Sequence, residues 1–389
     1  MPNPPTRGFP ESEFVRRCEG AQRAMATAGL DVLLLTCEPE VRYFSGFLSR
    51  FWESPTRPWF LLVPVRGKPI AVIPEIGAAG MAATWIEDIR TWSAPDLKDD
   101  GISLLKGALD DVTEAQGRIG LAMDLESHLR MPLRDFEALR ARLPGKAFVD
   151  AGPLLRSLRG VKSEAEIDKI RYACHVASSG FEALPGHAAL GQSEREICRQ
   201  LKINMLSGGA DSTPYVIAGS GPGGYDNIIM GPTDRQLGAG DVLIIDTGTT
   251  YDGYFCDFDR NWAFGRSDDE VRRAYEVVFA ATEAGYQAAR PGATAADLWA
   301  AMARVMEAGG SLGNEVGRLG HGLGMQLTEG HSNMPGDETI LQPGMVVTLE
   351  PGMTFAPQRM MVHEENIVIR EGEAEWLSWR AAPELPIIK

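Results

Sequence analysis

Basic residues are in the minority in this 389-residue chain: 38 Lys and Arg stand against 53 Asp and Glu, a net charge of −15. That balance argues against a nucleic-acid partner, which rewards clustered cations that displace phosphate counterions. Long apolar runs are missing as well. Stretches such as 59–65 fall far short of the ~20 residues a membrane helix needs. Residues 1–14 are polar and proline-rich where a secretory signal would carry an apolar core. The expectation is a soluble, cytoplasmic protein with no membrane partner. Cysteine is sparse: Cys18, Cys37, Cys174, Cys198 and Cys256 are odd in number, scattered, and form no C-x-x-C pair. That spacing speaks against a disulfide framework or a zinc ribbon and for buried thiols in a reducing compartment.

What is present is ordinary globular material, 44% hydrophobic and 23% charged, in a length that suits two domains. The first part alternates helix and strand signals. Residues 11–28 carry Phe14, Val15, Cys18, Ala21 and Met25 at helical spacing, closed by Gly29. Short apolar runs follow at 31–36, 58–65, 69–73 and 118–124, bounded by Gly, Pro or charge. This alternation predicts an α/β domain over residues 1–157.

A second domain is predicted over residues 158–389. It opens with a capping box, Ser163 with Glu166, before a long helix whose apolar face is Ile167, Ile170, Cys174, Ala177 and Phe181. Further helices are predicted at 194–206 and 268–289, and from an N-cap at Thr294 to Ala308. Strand-like stretches at 213–218, 242–247, 254–264, 346–350 and 364–369 predict an α+β domain with an antiparallel sheet.

The densest chemical signal is the apolar run Val242-Leu243-Ile244-Ile245 ending in Asp246, then Tyr251-Asp252-Gly253-Tyr254, then Asp257-Phe258-Asp259. Asp-Gly between strand-like runs signals a hairpin. A turn about Tyr251/Asp252 would set Asp246 directly opposite Asp257, with Cβ atoms ~4.5–5.5 Å apart. A turn at Asp252-Gly253 without a bulge would instead oppose Asp246 to Asp259 and leave Asp257 diagonal. Pattern alone leaves both registers open. His321 lies in Gly320-His321-Gly322-Leu323-Gly324; Glu350 ends one β-rich run and Glu364 begins another. The glycine-rich loop lacks G-x-G-x-x-G spacing and a surrounding βαβ unit, which argues against a nucleotide. Four carboxylates and an imidazole can balance two divalent cations, and oxygen-rich ligation suits Mn, Co, Fe or Zn. Two such ions ~3.5–4 Å apart can share a hydroxide and polarise a carbonyl.

The order Asp-x10-Asp, Gly-His-Gly-x-Gly, Glu-Pro-Gly and Glu-Glu-Asn resembles the prolidase, aminopeptidase P and creatinase ("pita-bread") superfamily, along the whole chain. The resemblance implies a creatinase-like N-terminal domain and a pita-bread catalytic domain with a curved, mainly antiparallel sheet. It also implies a homodimer and a dinuclear centre, manganese favoured, held by Asp246, Asp257, His321, Glu350 and Glu364. It favours the bulged or directly opposed register, with Asp257 facing Asp246. The function implied is a metal-dependent hydrolase of a small amide or dipeptide, Xaa-Pro dipeptidase-like, using a metal-bridging hydroxide.

The chain departs from the family at Ile229 and Thr328, where histidines are usual, at Val362, where an arginine is, and at Asp259, where a threonine is. Replacement groups are available. His331 and Glu350 are candidate proton carriers, with His363 a further one. Tyr225, Asp226, Trp52 and Arg359 are candidates for touching substrate. The rewritten shell keeps open a different enzyme on the same scaffold, creatinase-like, ectoine-hydrolase-like or dimethylsulfoniopropionate lyase-like. A non-catalytic binding module is the third reading, disfavoured by the retained ligands.

Overall fold

The computed structural model describes residues 3–53, 57–313 and 317–389. The chain divides into two compact units, one of Thr6–Arg159 and one of Gly160–Lys389, with which residues 3–5 are grouped.

The first unit holds helices α1 (Glu11–Ala28), α2 (Glu38–Ser45), α3 (Ala78–Ala82), α4 (Ile102–Val112), α5 (Leu133–Ala141) and α6 (Gly152–Gly160), the last ending at the unit boundary. Its strands are β1 (Val32–Leu35), β2 (Phe60–Pro64), β3 (Ile70–Pro74), β4 (Asp88–Trp92), β5 (Arg118–Leu121) and β6 (Ala147–Asp150). They form one mixed sheet in the order β4-β3-β2-β1-β5-β6. Strands β1, β2 and β3 are buried at every position, so they read as continuous apolar runs. Strands β4 and β6 are partly exposed and carry charge at their ends, which hid them from the apolar pattern. Gly29 closes α1 in the left-handed conformation, φ 65°, where a side chain would be strained.

The second unit begins with α7 (Glu164–Ala183) and α8 (Glu194–Ser207). Glu166 of α7 accepts the Ser163 N–H at 2.9 Å and the Tyr254 hydroxyl at 2.9 Å, so one carboxylate caps the helix and ties it to a hairpin. Strands β7 (Val216–Pro222), β8 (Asp241–Thr247), β9 (Thr250–Tyr251), β10 (Tyr254–Phe255) and β11 (Phe258–Phe264) follow. Helices α9 (Asp269–Ala288) and α10 (Ala295–Ala308) come next, α10 with the expected N-cap Thr294 and α9 capped by the side chain of Asp268, which accepts the Val271 N–H. The chain ends in β12 (Val346–Leu349), β13 (Gly352–Ala356), β14 (Arg359–Val362), β15 (Glu365–Val368), β16 (Glu375–Trp376) and β17 (Ile387–Ile388). Pairing is antiparallel throughout except β11 with β17. The core of this unit packs α9 and α10, through Val278, Leu298 and Met302, against Val347, Leu349 and Ile367 of the strands. A mixed α/β unit followed by a mainly antiparallel α+β unit is the predicted fold class. Among the described residues no helix is long and apolar enough to cross a membrane.

Candidate metal centre

Strand β8 is buried along Val242–Ile245 by apolar side chains, so Asp246 reaches the end of the run as a carboxylate surrounded by protein. The register is decided at the hairpin tip. Asp252 and Gly253 take φ 46° and 69°, the two left-handed residues of a two-residue turn, and Tyr251 pairs with Tyr254. Asp246 therefore faces Asp259, and Asp257 sits diagonally on the same face. This corrects the expectation that Asp257 directly opposes Asp246 or that a bulge intervenes. The physical cause is tertiary: Lys169 of α7 holds Asp252 at 2.6 Å in a buried ion pair, and Asp211 accepts the Asp252 N–H at 2.6 Å.

His321 comes from a loop zipped onto its own return. Leu319 N–H donates to Asn333 O (2.8 Å), Asn333 N–H to Gly320 O (2.7 Å) and Gly322 N–H to His331 O (2.9 Å). Gly320 has φ 130°, and a Cβ there would collide with Thr348 O and the Asn333 amide, so only glycine fits. The His321 N–H donates to Thr348 Oγ1 at 2.9 Å. Its ring Nδ1 lies 3.0 Å from Gly322 O, a contact that only an N–H can make, leaving Nε2 with the lone pair in the neutral ring. That Nε2 sits 3.4 Å from Asp257 Oδ2 and 3.7 Å from Glu350 Oε1.

Asp257, His321 and Glu364 each offer one ligand atom within 4.8 Å of the others, and all three are buried. Glu350, at the end of β12, and Asp246 border them and stay partly exposed. Burial raises the Asp246 carboxyl well above the usual carboxylate range, and Asp257, Asp259 and Glu350 push it further. Glu364 rises well above that range for the same reasons, burial first, then Asp257, Glu350 and Asp246. Asp259 is pushed up to about 8 by burial, eased by Arg260 and worsened by Glu365 and Glu350. Burial opposes a charged His321, but Asp257 and Glu350 overcome it and raise its pKa. In this cluster four buried carboxylate oxygens lack any hydrogen-bond partner: Asp246 Oδ1, Glu350 Oε1, Glu364 Oε1 and Asp259 Oδ2. Orphaned, mutually repelling carboxylates beside an imidazole lone pair are what a divalent cation would satisfy. The donor set therefore fits metal ions.

Pattern reading passed over several supporting side chains. The Tyr215 hydroxyl donates to Asp257 Oδ1. The Asn366 amide clamps the Asp257 backbone, accepting its N–H at 3.0 Å and donating to its C=O. Arg318 donates to Thr328 Oγ1 (3.2 Å) and Ser332 Oγ (3.4 Å), and its Nε lies 4.0 Å from Glu350 Oε1. Only Asn366 had a sequence cue, its place behind Glu364-Glu365; Tyr215 and Arg318 reach the site through strand pairing and loop closure.

The other residues singled out from sequence lie in varied surroundings. His331 is 7% exposed, its Nε2 has no partner, and burial lowers its pKa to about 4. His363 is buried with Nδ1 2.8 Å from Thr282 Oγ1. The Tyr225 hydroxyl is engaged on both sides, donating to Asn261 Oδ1 and accepting the Val362 N–H, each at 2.8 Å. Asp226 and Ile229 are exposed. Arg359 pairs with Glu270 at 3.4 Å at the start of α9. Trp52, in the first unit, lies 6.0 Å from Trp59 and under the Arg130 guanidinium.

Comparison with known proteins places this geometry. Residues 168–371 match the model of metallopeptidase family M24, and residues 17–161 match the creatinase/prolidase N-terminal domain. The probable dipeptidase PepE of Mycobacterium tuberculosis is 31% identical over 367 residues, 94% of each chain. The chain belongs to metallopeptidase family M24. The M24 relatives include a Xaa-Pro dipeptidase of Pyrococcus horikoshii, 27% identical over 90% of this chain and 93% of that one. The structure of dipeptidase PepE from Mycobacterium ulcerans matches with a TM-score of 0.85 at 29% identity, covering 98% of this chain and 99% of that chain. The prolidase of Thermococcus sibiricus shares the fold at TM-score 0.86, with 24% identity over 96% and 99% of the two chains. This M24 member is thus a metal-dependent hydrolase with the two-domain prolidase-like fold.

Proposed function

We propose that the protein is a dipeptidase of the Xaa-Pro type, working with two divalent cations, manganese favoured, held by Asp246, Asp257, His321, Glu350 and Glu364. The observation that carries this reading is the convergence of Asp257, His321 and Glu364 within 4.8 Å, bordered by carboxylate oxygens with no other partner. Bound cations would supply a Lewis acid for the scissile carbonyl and acidify a water. The chain's own side chains do the rest. Tyr215 and Asn366 fix Asp257 by its carboxylate and its backbone. Glu350, with 24% of its side chain exposed and Oε1 unpartnered, holds the proton that passes to the leaving nitrogen. His331, kept neutral by burial, offers its unpartnered Nε2 as a hydrogen-bond acceptor. Arg318 supplies a guanidinium beside Glu350 that suits the terminal carboxylate of a dipeptide.

We further infer a cytoplasmic homodimer. The five free, buried cysteines support a reducing compartment. Exposed Leu97 (93%), Leu125 (87%) and Leu133 (71%) on the first unit offer apolar area that a second copy would cover. Light scattering of the purified protein tests the dimer.

One observation favours a second reading, a non-peptidase C–N hydrolase on the same scaffold. Thr328 holds Arg318, and Val362 is buried with its N–H given to Tyr225, so two positions of the family's peptide-handling shell serve internal contacts. The deciding experiment is hydrolysis of Xaa-Pro and Xaa-Xaa dipeptides by protein stripped of metal and reloaded with Mn2+. Turnover only after reloading supports the dipeptidase; none on any dipeptide, with cation uptake intact, supports the second reading.

A further inference from the structure

Asp259 occupies a place that neither the folding of the sheet nor the proposed five-residue ligand set accounts for. It is 1% exposed, near the hairpin end of a buried strand pair, directly opposite Asp246. A carboxylate buried there needs hydrogen bonds or a cation to offset lost hydration. Oδ1 receives a weak bond from Asn261 Nδ2 at 3.3 Å, while that amide makes its shorter bond, 2.7 Å, to Val362 O, and the Glu364 backbone N–H gives the carboxylate some further support. Oδ2 receives none. The neighbouring guanidinium of Arg260 is directed elsewhere, to the backbone oxygens of Asp259, Glu364 and Trp379 and to the Glu365 carboxylate at 3.0 Å. Across the pair, Asp246 Oδ1 is likewise unpartnered. The two strands thus face each other with one orphaned carboxylate oxygen apiece, next to Asp257 on the same face.

Asn261 is itself fixed. Its Oδ1 accepts the Tyr225 hydroxyl at 2.8 Å, and that hydroxyl accepts the Val362 N–H at 2.8 Å. The Tyr225–Asn261–Val362 set therefore holds Oδ1 from behind and leaves Oδ2 as the oxygen available to the centre. Supporting bonds that orient a ligating carboxylate while leaving one oxygen open are the usual arrangement around protein-bound cations.

From this geometry we infer that Asp259 is a further carboxylate of the metal centre, contributing Oδ2 to the cation held by Asp246. This rests on the two-cation reading above and adds a residue to it. The competing account is a proton shared between Asp246 and Asp259, which would leave cation binding indifferent to residue 259.

The test uses Co2+ alone as probe, on full-length protein stripped of metal, with calorimetry for affinity and visible absorption for coordination. The wild type, Asp259→Asn and Asp259→Thr are compared, with Asp257→Asn as reference. Asparagine keeps an acceptor for the Asn261 amide at the same volume, and threonine guards against a variant that fails to fold, as judged by circular dichroism. The expected result is two Co2+ equivalents in the wild type, one of them about 10- to 100-fold weaker in the residue-259 variants. The absorption band of that equivalent should change intensity or position as a ligand oxygen is lost. Wild-type affinity and an unchanged spectrum in both variants would overturn the assignment and establish the shared proton. Fewer than two equivalents in the wild type would defeat the two-cation reading instead, so the two failures are distinct.

Discussion

Replacing Asp257 with asparagine should stabilise the metal-free protein while abolishing its response to cations. Oxygens of Asp257 and Glu364 come within 4.8 Å of each other. Two unit charges at that separation repel by about 3 kcal/mol at an effective dielectric of ~20. In the metal-free fold part of that is relieved by a proton and part is offset by the lost His321 contact, so neutralising Asp257 should gain about 1–2 kcal/mol near pH 8. Asparagine still accepts the Tyr215 hydroxyl through its carbonyl, and the Asn366 clamp grips only the backbone, so the main loss is the charge of Asp257 beside His321 Nε2, 3.4 Å away. In the wild type a cation at 100 times its Kd stabilises the fold by about 2.7 kcal/mol. For a unit the size of Gly160–Lys389 that is a rise in Tm of roughly 5–11 °C. Calorimetric melts with and without Mn2+ should therefore cross, with the variant melting higher when stripped and the wild type higher when loaded. A stripped variant that melts below the stripped wild type, or one that gains as much from Mn2+, would refute the electrostatic account of the centre.

Other outcomes follow from single contacts. His331 has its pKa lowered to about 4 by burial, against about 6.5 in the unfolded chain, so between those values only the unfolded chain binds the proton. Stability should fall as pH drops from about 6.5 to about 4, by up to about 3 kcal/mol, and His331→Gln should flatten that slope in urea unfolding of the stripped protein. Tyr215→Phe removes the hydroxyl that orients Asp257 and should weaken cation affinity about 10-fold, read by calorimetry; unchanged affinity would deny it a positioning role. Arg318→Gln should raise KM for free dipeptides by about 10-fold or more while leaving KM for their C-terminal amides unchanged, a loss of one charged hydrogen-bond partner. Equal losses on both substrates would assign Arg318 to holding Glu350.

Much of the molecule is legible before folding because its signals are local. Gly29 ends α1, Asp268 and Thr294 begin α9 and α10, and the buried runs of β1, β2 and β3 are apolar at nearly every position. The partly exposed β4 and β6 carry no such pattern, and their strand identity comes from pairing with β3 and β5. The chemistry of the centre was equally local: Asp246 ending an apolar run, His321 among glycines that allow close backbone approach, and two glutamates beside β-rich segments.

Tertiary structure decided what these residues face. The Asp-Gly turn admits two registers in sequence, and the buried Lys169–Asp252 ion pair, joining residues far apart in the chain, selects the one that opposes Asp246 to Asp259. The sequence by itself determined which side chains carry charge and where strands and helices begin. The closing of α7, β12 and the 319–333 loop around the hairpin determined which of those charges meet, because repulsion, burial and hydrogen bonding between distant segments exist only once the chain is folded.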